Sequence, residues 1–308
     1  MLLTHTSSLR DDAFYFWPAR HSLRDVLVPG GALHGDGLMW ARDHPPGRWF
    51  RYANLNWGVI GTVMERATGE RFDRLMKRLV LAPLGLKAGF NPAELTAREL
   101  GNLATLYARS KDVDGKDVWD PSGPWNVQHD DYSGQPPAHR ADASYRVGSN
   151  GTVFGPQGNL RISAADLATV MIMLMDGGMH AGHRFLSRES VDALLSVQWR
   201  HDGSNGDAGY DGRGRFYAWG LGVQHFLDVP GAGTGDRLVE GGGLSGSGHL
   251  GEAYGLTAIL AFDRVRRIGV VCIIGGTGFD PAEAPGEYSS LFRHEERILT
   301  TLHRHVLR

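Results

Sequence analysis

The feature that most constrains the fold is a pair of apolar, β-rich runs near the end of the chain. The runs are LTAILAF at 256–262 and IGVVCII at 268–274, and a short polar connection joins them. Continuous apolar runs of this length predict a hairpin whose strands are buried on both faces. An amphipathic pattern over 287–306 follows and predicts a closing helix. Antiparallel strands followed by a helix indicate an α+β fold, with helices packed against one sheet.

Helical patterns precede this hairpin. Apolar residues at helical spacing predict consecutive helices over 59–68 and 71–81. Ser163 and Ser187 each have the position of an N-cap residue, so each predicts the start of a further helix. The stretch YAWGLGVQHF, from Tyr217, is interpreted as a strand that contains glycines.

Residues 110–160 are polar, weakly periodic and rich in Gly, Pro and Asp. Long stretches of this kind inside compact domains are usually functional, so we interpret this one as an excursion that lines a pocket. We therefore divide the chain into a mostly helical and loop lobe, 1–160, and an antiparallel-sheet lobe, 161–308.

Composition excludes several classes of protein. The 308 residues carry a formal net charge of −2, which gives no reason to expect a nucleic acid or an anionic membrane as partner. No apolar run approaches the ~20 residues of a membrane span. The first residues show no signal peptide. The compartment therefore stays open: the protein is cytoplasmic, or it is periplasmic or secreted if an upstream segment exists. The single cysteine, Cys272, cannot form an internal disulfide.

A Tyr-Ala-Asn triplet at 52–54 lies between a Pro/Gly turn and the first long helix. A phenol and a carboxamide two residues apart at the mouth of a helix can face one cleft. Tyr52 can transfer protons at neutral pH only if its pKa falls from about 10 towards 7, which an adjacent cation could supply. From the triplet alone, a buried aromatic that helps to start a helix is the simpler interpretation.

The residues around the triplet resemble a known family. The ordered landmarks are Pro46-Gly47, Tyr52-Ala53-Asn54, Thr68-Gly69 and Pro83-Leu84-Gly85. This order resembles the Tyr-x-Asn region of the serine β-lactamase and penicillin-binding-protein-like hydrolases. Class C β-lactamases, family VIII esterases and D-aminopeptidases are the relatives it resembles in particular. The resemblance implies an α+β, transpeptidase-like fold, with Tyr52 as general base or proton relay and Asn54 as the group that orients either the substrate carbonyl or the lysine.

A second segment, Gly248 to Glu252, is similar to the family's third motif, a Lys-Thr-Gly or His-x-Gly triad on the strand that edges the cleft. By this resemblance His249 replaces a lysine as a polar or cationic group, and the N–H of Glu252 is one oxyanion donor. Gly251 leaves room for close approach of a substrate. We expect Tyr52 and His249 to converge on one pocket.

The family's acyl-transfer chemistry also uses a Ser-x-x-Lys pair, one helical turn apart. None of the four lysines has a serine three residues before it. In the family, the Leu-Leu-x-His-Thr-Ser stretch found here at 2–7 lies well inside the domain. We therefore expect an N-terminally truncated product that lacks the first helix, the first strands and the nucleophile helix, and that is inactive as given. One sheet edge would then be uncovered.

Three hypotheses follow. The first is a serine hydrolase of this family that acts on small esters, amides or peptides through an acyl-enzyme. The second is a non-catalytic homologue that binds a peptide or small ligand, and the third is a broken reading frame. No cofactor or metal is implied, since His180 and His183 have no third ligand nearby. The sequence does not give the oligomeric state.

Overall fold

The computed structural model describes residues 1–11, 14–114, 116–141, 143–207 and 214–307. Its α-helices are α1 (Leu23–Leu27), α2 (Leu55–Thr68), α3 (Phe72–Met76), α4 (Ala97–Gly101), α5 (Ala164–Met175), α6 (Arg188–Leu195) and α7 (Arg293–His305). Its strands are β1 (Leu106–Val113), β2 (Lys116–Trp119), β3 (Trp125–His129), β4 (Met179–His180), β5 (His183–Arg184), β6 (Trp199–Arg200), β7 (Ala218–Trp219), β8 (Gln224–Phe226), β9 (Gly246–Ala253), β10 (Leu256–Asp263), β11 (Ile268–Ile274) and β12 (Gly276–Thr277).

Two compact units make up the chain, and they interleave in the sequence. The first comprises Met1–Gly101, Pro136–Asp166 and His201–Asp207, and the second comprises Asn102–Gln135, Leu167–Arg200 and Ala208–Arg308. Residues 102–135, which the sequence analysis placed in the helical lobe, therefore group with the sheet-containing unit. The division into lobes 1–160 and 161–308 stays a prediction.

The first unit is built around α2. The helix begins at fully buried Leu55, which packs in a cluster of apolar side chains, and it ends at Gly69 in the left-handed conformation. Gly58 faces the 3-10 turn Gly151–Phe154, where a β-carbon at this position would lie 2.4 Å from Thr152. Glycine is therefore required for the close approach of the turn to the helix. The cluster around Leu55 comprises Leu9, Trp17, Leu23, Val26 and Met39.

A buried carboxylate joins α2 to its neighbours. Glu65 is fully buried and accepts hydrogen bonds from the backbone N–H groups of Phe72 and Gly148, both at 2.8 Å. The hydroxyl of Tyr145 donates to the same carboxylate at 2.5 Å. Burial, together with the hydrogen bond to Glu65, raises the pKa of Tyr145 far above its ordinary value of 10. The phenol is therefore a permanent donor, and Glu65 ties α2 to α3 and to the loop before residue 150.

The second unit contains a six-stranded antiparallel sheet in the order β11-β10-β9-β8-β7-β6. One end of the sheet is the β10–β11 hairpin, in which Ile259 pairs with Cys272. Ile259, Val270 and Leu299 of α7 belong to one buried cluster. The predicted hairpin and the α+β layering are therefore confirmed. A smaller sheet joins β1 to β2 and β3 in antiparallel pairs and to β12 in a parallel pair.

The structure corrects several details of the sequence analysis. The stretch 110–160 is not an unstructured excursion, because it contains β2, β3 and the second half of β1 (residues 115 and 142 lie outside the described residues). The strand predicted from Tyr217 is two short strands, because the residues between Trp219 and Gln224 form a turn. The hairpin strands are not buried on both faces, because β10 largely alternates between buried and half-buried residues and β11 is half-buried except at Val270.

The predicted closing helix is shorter than its pattern. It begins at Arg293, not at residue 287, and Val306 on its supposed apolar side is 68% exposed. Its buried side instead includes Glu296, whose carboxylate accepts from the N–H groups of Glu287 and Tyr288. A buried glutamate that binds the preceding loop defeats a prediction based on apolar periodicity alone.

Candidate functional site

The Tyr-Ala-Asn triplet enters α2 as the sequence predicts, and buried residues on both sides fix it. Phe50, Ala53 and Leu55 are all fully buried. The N–H of Phe50 donates to the carbonyl of Asn205 at 3.0 Å, which anchors the approach to the turn. Tyr52 and Asn54, in the alternate positions, are half-buried at the mouth of the helix.

An imidazole lies against the phenol ring. His5 and Tyr52 stack with ring centroids 4.4 Å apart and an interplanar angle of 25°. The N–H of Ala53 donates to Nδ1 of His5 at 3.1 Å, and the side-chain nitrogen of Asn56 lies 3.0 Å from the same atom. Because Nδ1 accepts a hydrogen bond, it carries no proton, and His5 is a neutral imidazole here. The group stacked on Tyr52 is therefore not a cation.

A buried polar chain holds His5 in this position. Asn56 is fully buried and its Oδ1 accepts from the hydroxyl of Ser7 at 2.5 Å. The segment containing His5 and Ser7 is thereby fastened to α2. Ser7 serves as a donor to an amide in this arrangement, and no lysine stands at the offset that the family's nucleophile requires.

Asp11 organises the start of α2. Its carboxylate accepts from the backbone N–H groups of Asn54, at 2.6 Å, and Leu55, at 3.0 Å. The side-chain nitrogen of Asn54 also donates to it, at 2.9 Å. A carboxylate at a helix N-terminus satisfies backbone donors and stabilises the helix dipole. In this structure the carboxamide of Asn54 therefore contacts Asp11, and its proposed contact with a substrate stays a prediction.

In the second unit, His249 lies in the middle of β9. Its ring contacts Trp219 edge to face, with centroids 5.5 Å apart, and its Nδ1 hydrogen-bonds the carbonyl of Leu250. Burial lowers the pKa of His249 below its ordinary value of 6.5, the charge of Arg215 lowers it further, and the bond to Leu250 opposes both effects. His249 is therefore neutral at pH 7, which favours a polar over a cationic role.

The predicted strand edge exists at Gly251 and Glu252. β9 pairs with β10 from Ser247 to Ala253, but its pairing with β8 ends at Gly248. Within the ranges that the structure describes, no strand pairs with the other edge of β9 beyond that residue. An edge of this kind presents N–H and C=O groups to an extended ligand. The carboxylate of Glu252 lies 3.8 Å from a guanidinium nitrogen of Arg215.

The predicted site residues thus fall into two groups, each described within its own unit. Tyr52 and Asn54 belong to the first unit, and His249, Gly251 and Glu252 to the second. Sequence analysis did not identify His5, Asp11 or Arg215 as site residues. His5 lies in the Leu-Leu-x-His-Thr-Ser stretch, so that motif was an available signal. No sequence signal marked Asp11 or Arg215, because their contacts join residues that are far apart in the chain.

Comparison with known proteins decides the family. A family model described as Beta-lactamase matches residues 1–289. The chain belongs to the Beta-lactamase family. The match includes both the Tyr-x-Asn turn and the β9 segment, so the family resemblance inferred from the sequence is confirmed.

Relatives within the Beta-lactamase family are longer than this chain. A putative D-alanyl-D-alanine carboxypeptidase of Escherichia coli K12 is 24% identical over 180 residues, which cover 53% of this chain and 37% of the relative. The corresponding protein of Escherichia coli O157:H7 is 27% identical over the same length. The chain therefore spans little more than a third of these curated relatives.

Solved structures show the shared fold. The D-amino acid amidase of Ochrobactrum anthropi SV3, complexed with D-phenylalanine, is 19% identical with a TM-score of 0.54, over 89% of this chain and 64% of that chain. An octameric penicillin-binding protein homologue from Pyrococcus abyssi is 19% identical with a TM-score of 0.53, over 91% and 52%. The expected β-lactamase-type fold is confirmed.

The described residues show neither a candidate metal centre nor a membrane-spanning helix. No group of three or more His, Cys, Asp or Glu side chains in them could hold a metal ion. No helix among them is both long and apolar enough to cross a membrane.

Proposed function

We propose that this chain carries the proton-relay and substrate-holding residues of a β-lactamase-family serine hydrolase that acts on small amides, peptides or esters. The family match over residues 1–289 supports the class of chemistry. The observation that carries the proposal is the turn into α2, where buried neighbours fix Tyr52 against the neutral ring of His5. A fixed phenol at a helix entrance has the geometry that a proton relay needs.

Each remaining residue has a proposed role. Asn54 would orient the substrate carbonyl, and Asp11 would hold the carboxamide in place until a substrate arrives. His249 would contribute a neutral, polar surface next to the edge of β9. Gly251 would admit an extended substrate to that edge, and the N–H of Glu252 would stabilise the developing oxyanion.

Acylation in this mechanism needs an activated serine. The Ser-x-x-Lys pair that supplies one is not in the 308-residue sequence. We therefore propose that this chain alone binds substrates of the family without turning them over. The same observation favours the second candidate, a homologue that binds a small ligand and has no catalytic role.

Binding of D-phenylalanine amide to the purified chain tests the substrate-holding role. An amide of this type is chosen because the structural relatives include a D-amino acid amidase. Calorimetry should show saturable binding, which Gly251→Val should weaken by about tenfold or more, since the added side chain obstructs the approach to β9. A β-carbon at Gly251 would lie 3.4 Å from that of Ala258, an ordinary contact, so the fold should tolerate it.

Gly158→Val is the matched control, because a β-carbon there would meet no atom within 4 Å. Binding should be unchanged in this variant. Equal affinity in wild type and Gly251→Val, with circular dichroism showing both folded, would remove the β9 edge from the proposal.

A further inference from the structure

A cavity of about 290 Å³ in the second unit is lined by four arginines. It lies where α5 ends at Met175, beside β5 and α6. Arg184 reaches it from β5 and Arg188 from α6, while Arg264 and Arg267 come from the turn between β10 and β11. Three separate parts of the unit thus direct guanidinium groups to one cavity.

Carboxylates balance only part of this charge. Arg264 pairs with Asp192 at 2.5 Å, and Arg267 pairs with Asp176 at 2.6 Å. No side chain in the described part of the chain forms an ion pair or hydrogen bond with the guanidinium of Arg188. The cavity therefore keeps an excess of positive charge.

Backbone carbonyls orient a further guanidinium. One nitrogen of Arg184 donates to the carbonyls of Gly177, at 3.1 Å, and Leu186, at 3.0 Å. These bonds neutralise no charge, but they fix the plane of the side chain. Glu189, the nearest additional carboxylate in the sequence, has its pKa lowered chiefly by hydrogen bonds at the start of α6, with a smaller effect from Arg184. Four guanidinium groups therefore face three carboxylates in this neighbourhood.

We propose that this cavity binds a phosphate group, free or as a small monoester. Guanidinium groups are planar forks that bind phosphate oxygens in pairs, and several converging forks complement a tetrahedral dianion. The volume equals that of about ten water molecules at ~30 Å³ each, enough for a phosphate with a few additional atoms.

The cavity is separate from the β9 edge. Glu252 pairs with Thr257 near the start of β10. Arg264 lies seven residues after Thr257, immediately beyond the end of that strand. At about 3.3 Å per residue, the separation along the strand is roughly 23 Å. The phosphate site therefore does not depend on the proposed hydrolase function.

Calorimetric titration of the whole chain with inorganic phosphate, at constant ionic strength, tests the site. We expect a dissociation constant on the order of 1 mM, and a loss of at least about fivefold in Arg188→Ala. Arg188 is the best position to change, because its removal breaks no ion pair. Arg304→Ala is the matched control, since it removes the same charge from a surface pair with Glu240.

Binding that is absent in wild type, or that falls equally in Arg188→Ala and Arg304→Ala, would overturn the proposal. Two further arms distinguish the source of the phosphate. Glycerol phosphate that competes with inorganic phosphate supports a soluble monoester as the ligand. Sedimentation with phosphatidic acid vesicles that is lost in Arg188→Ala supports a lipid headgroup at the same site.

Discussion

At the scale of single residues, the positions of Tyr52 and Asn54 could be predicted but their partners could not. The Pro/Gly turn and the helical spacing after it place both residues at the start of α2, where the structure has them. His5 and Asp11 reach the same turn from more than forty residues earlier. No local pattern reports such contacts, because they depend on how the chain folds back on itself.

His249 gives the residue-scale prediction. Burial lowers its pKa below 6.5 in the folded state, so below this pH the unfolded chain binds a proton that the folded chain does not. The contribution of His249 to stability is therefore complete above pH 6.5 and is lost as the pH drops towards its folded-state pKa. One such histidine contributes a slope of up to about 1.4 kcal/mol per pH unit. His249→Gln should therefore reduce the slope of unfolding free energy against pH below pH 6.5 by up to about 1.4 kcal/mol per pH unit.

Urea unfolding at several pH values between about 5.5 and 7.5 measures the slope. His305→Gln, at the exposed end of α7, should leave it unchanged. His225 and His294 also have pKa values lowered by burial, so the wild-type slope should exceed that of one group. Identical slopes in wild type and His249→Gln would show that His249 titrates normally in the folded chain.

At the scale of elements, helices with caps and long apolar strands were predictable, and short strands were not. The side chain of Ser187 accepts a hydrogen bond from the N–H of Ser190, and α6 begins directly after Ser187, as predicted. The β10–β11 hairpin follows directly from its apolar runs. The strands β2 and β3 contain only four and five residues in a polar stretch, so their pairing with β1 depends on tertiary contacts.

β11 gives the element-scale prediction. It lies at one end of the six-stranded sheet, and its outer edge has no strand partner among the residues that the structure describes. A seven-residue apolar edge without charge or proline is prone to pair with other chains. Ile273→Lys should therefore reduce concentration-dependent light scattering, because a charge on the strand opposes edge-to-edge pairing.

Val265→Lys is the control, since Val265 is 93% exposed in the turn just before β11 and the substitution adds the same charge outside the strand. Scattering should fall in Ile273→Lys and stay near the wild-type level in Val265→Lys. An equal reduction in both would assign the effect to net charge and not to the edge.

At the scale of the whole molecule, the family match and the composition of the chain lead to different expectations. Residues 1–289 match the Beta-lactamase family, and on this basis we propose hydrolytic chemistry for the whole protein. The same 308 residues contain no Ser-x-x-Lys pair, so we propose that this chain alone does not form the acyl-enzyme. The family resemblance could be predicted from the ordered motifs, and the missing pair from the positions of the four lysines. The interleaving of the two units came only from the structure.

The central proposal is that this chain binds substrates of its family but does not attack them. Incubation of the purified 308-residue chain with a fluorophosphonate probe, followed by intact-mass spectrometry, tests this claim directly. We expect no labelled serine and no hydrolysis of D-phenylalanine amide under the conditions that show binding. Stoichiometric labelling of a serine in this chain, together with turnover that Tyr52→Phe abolishes, would contradict it.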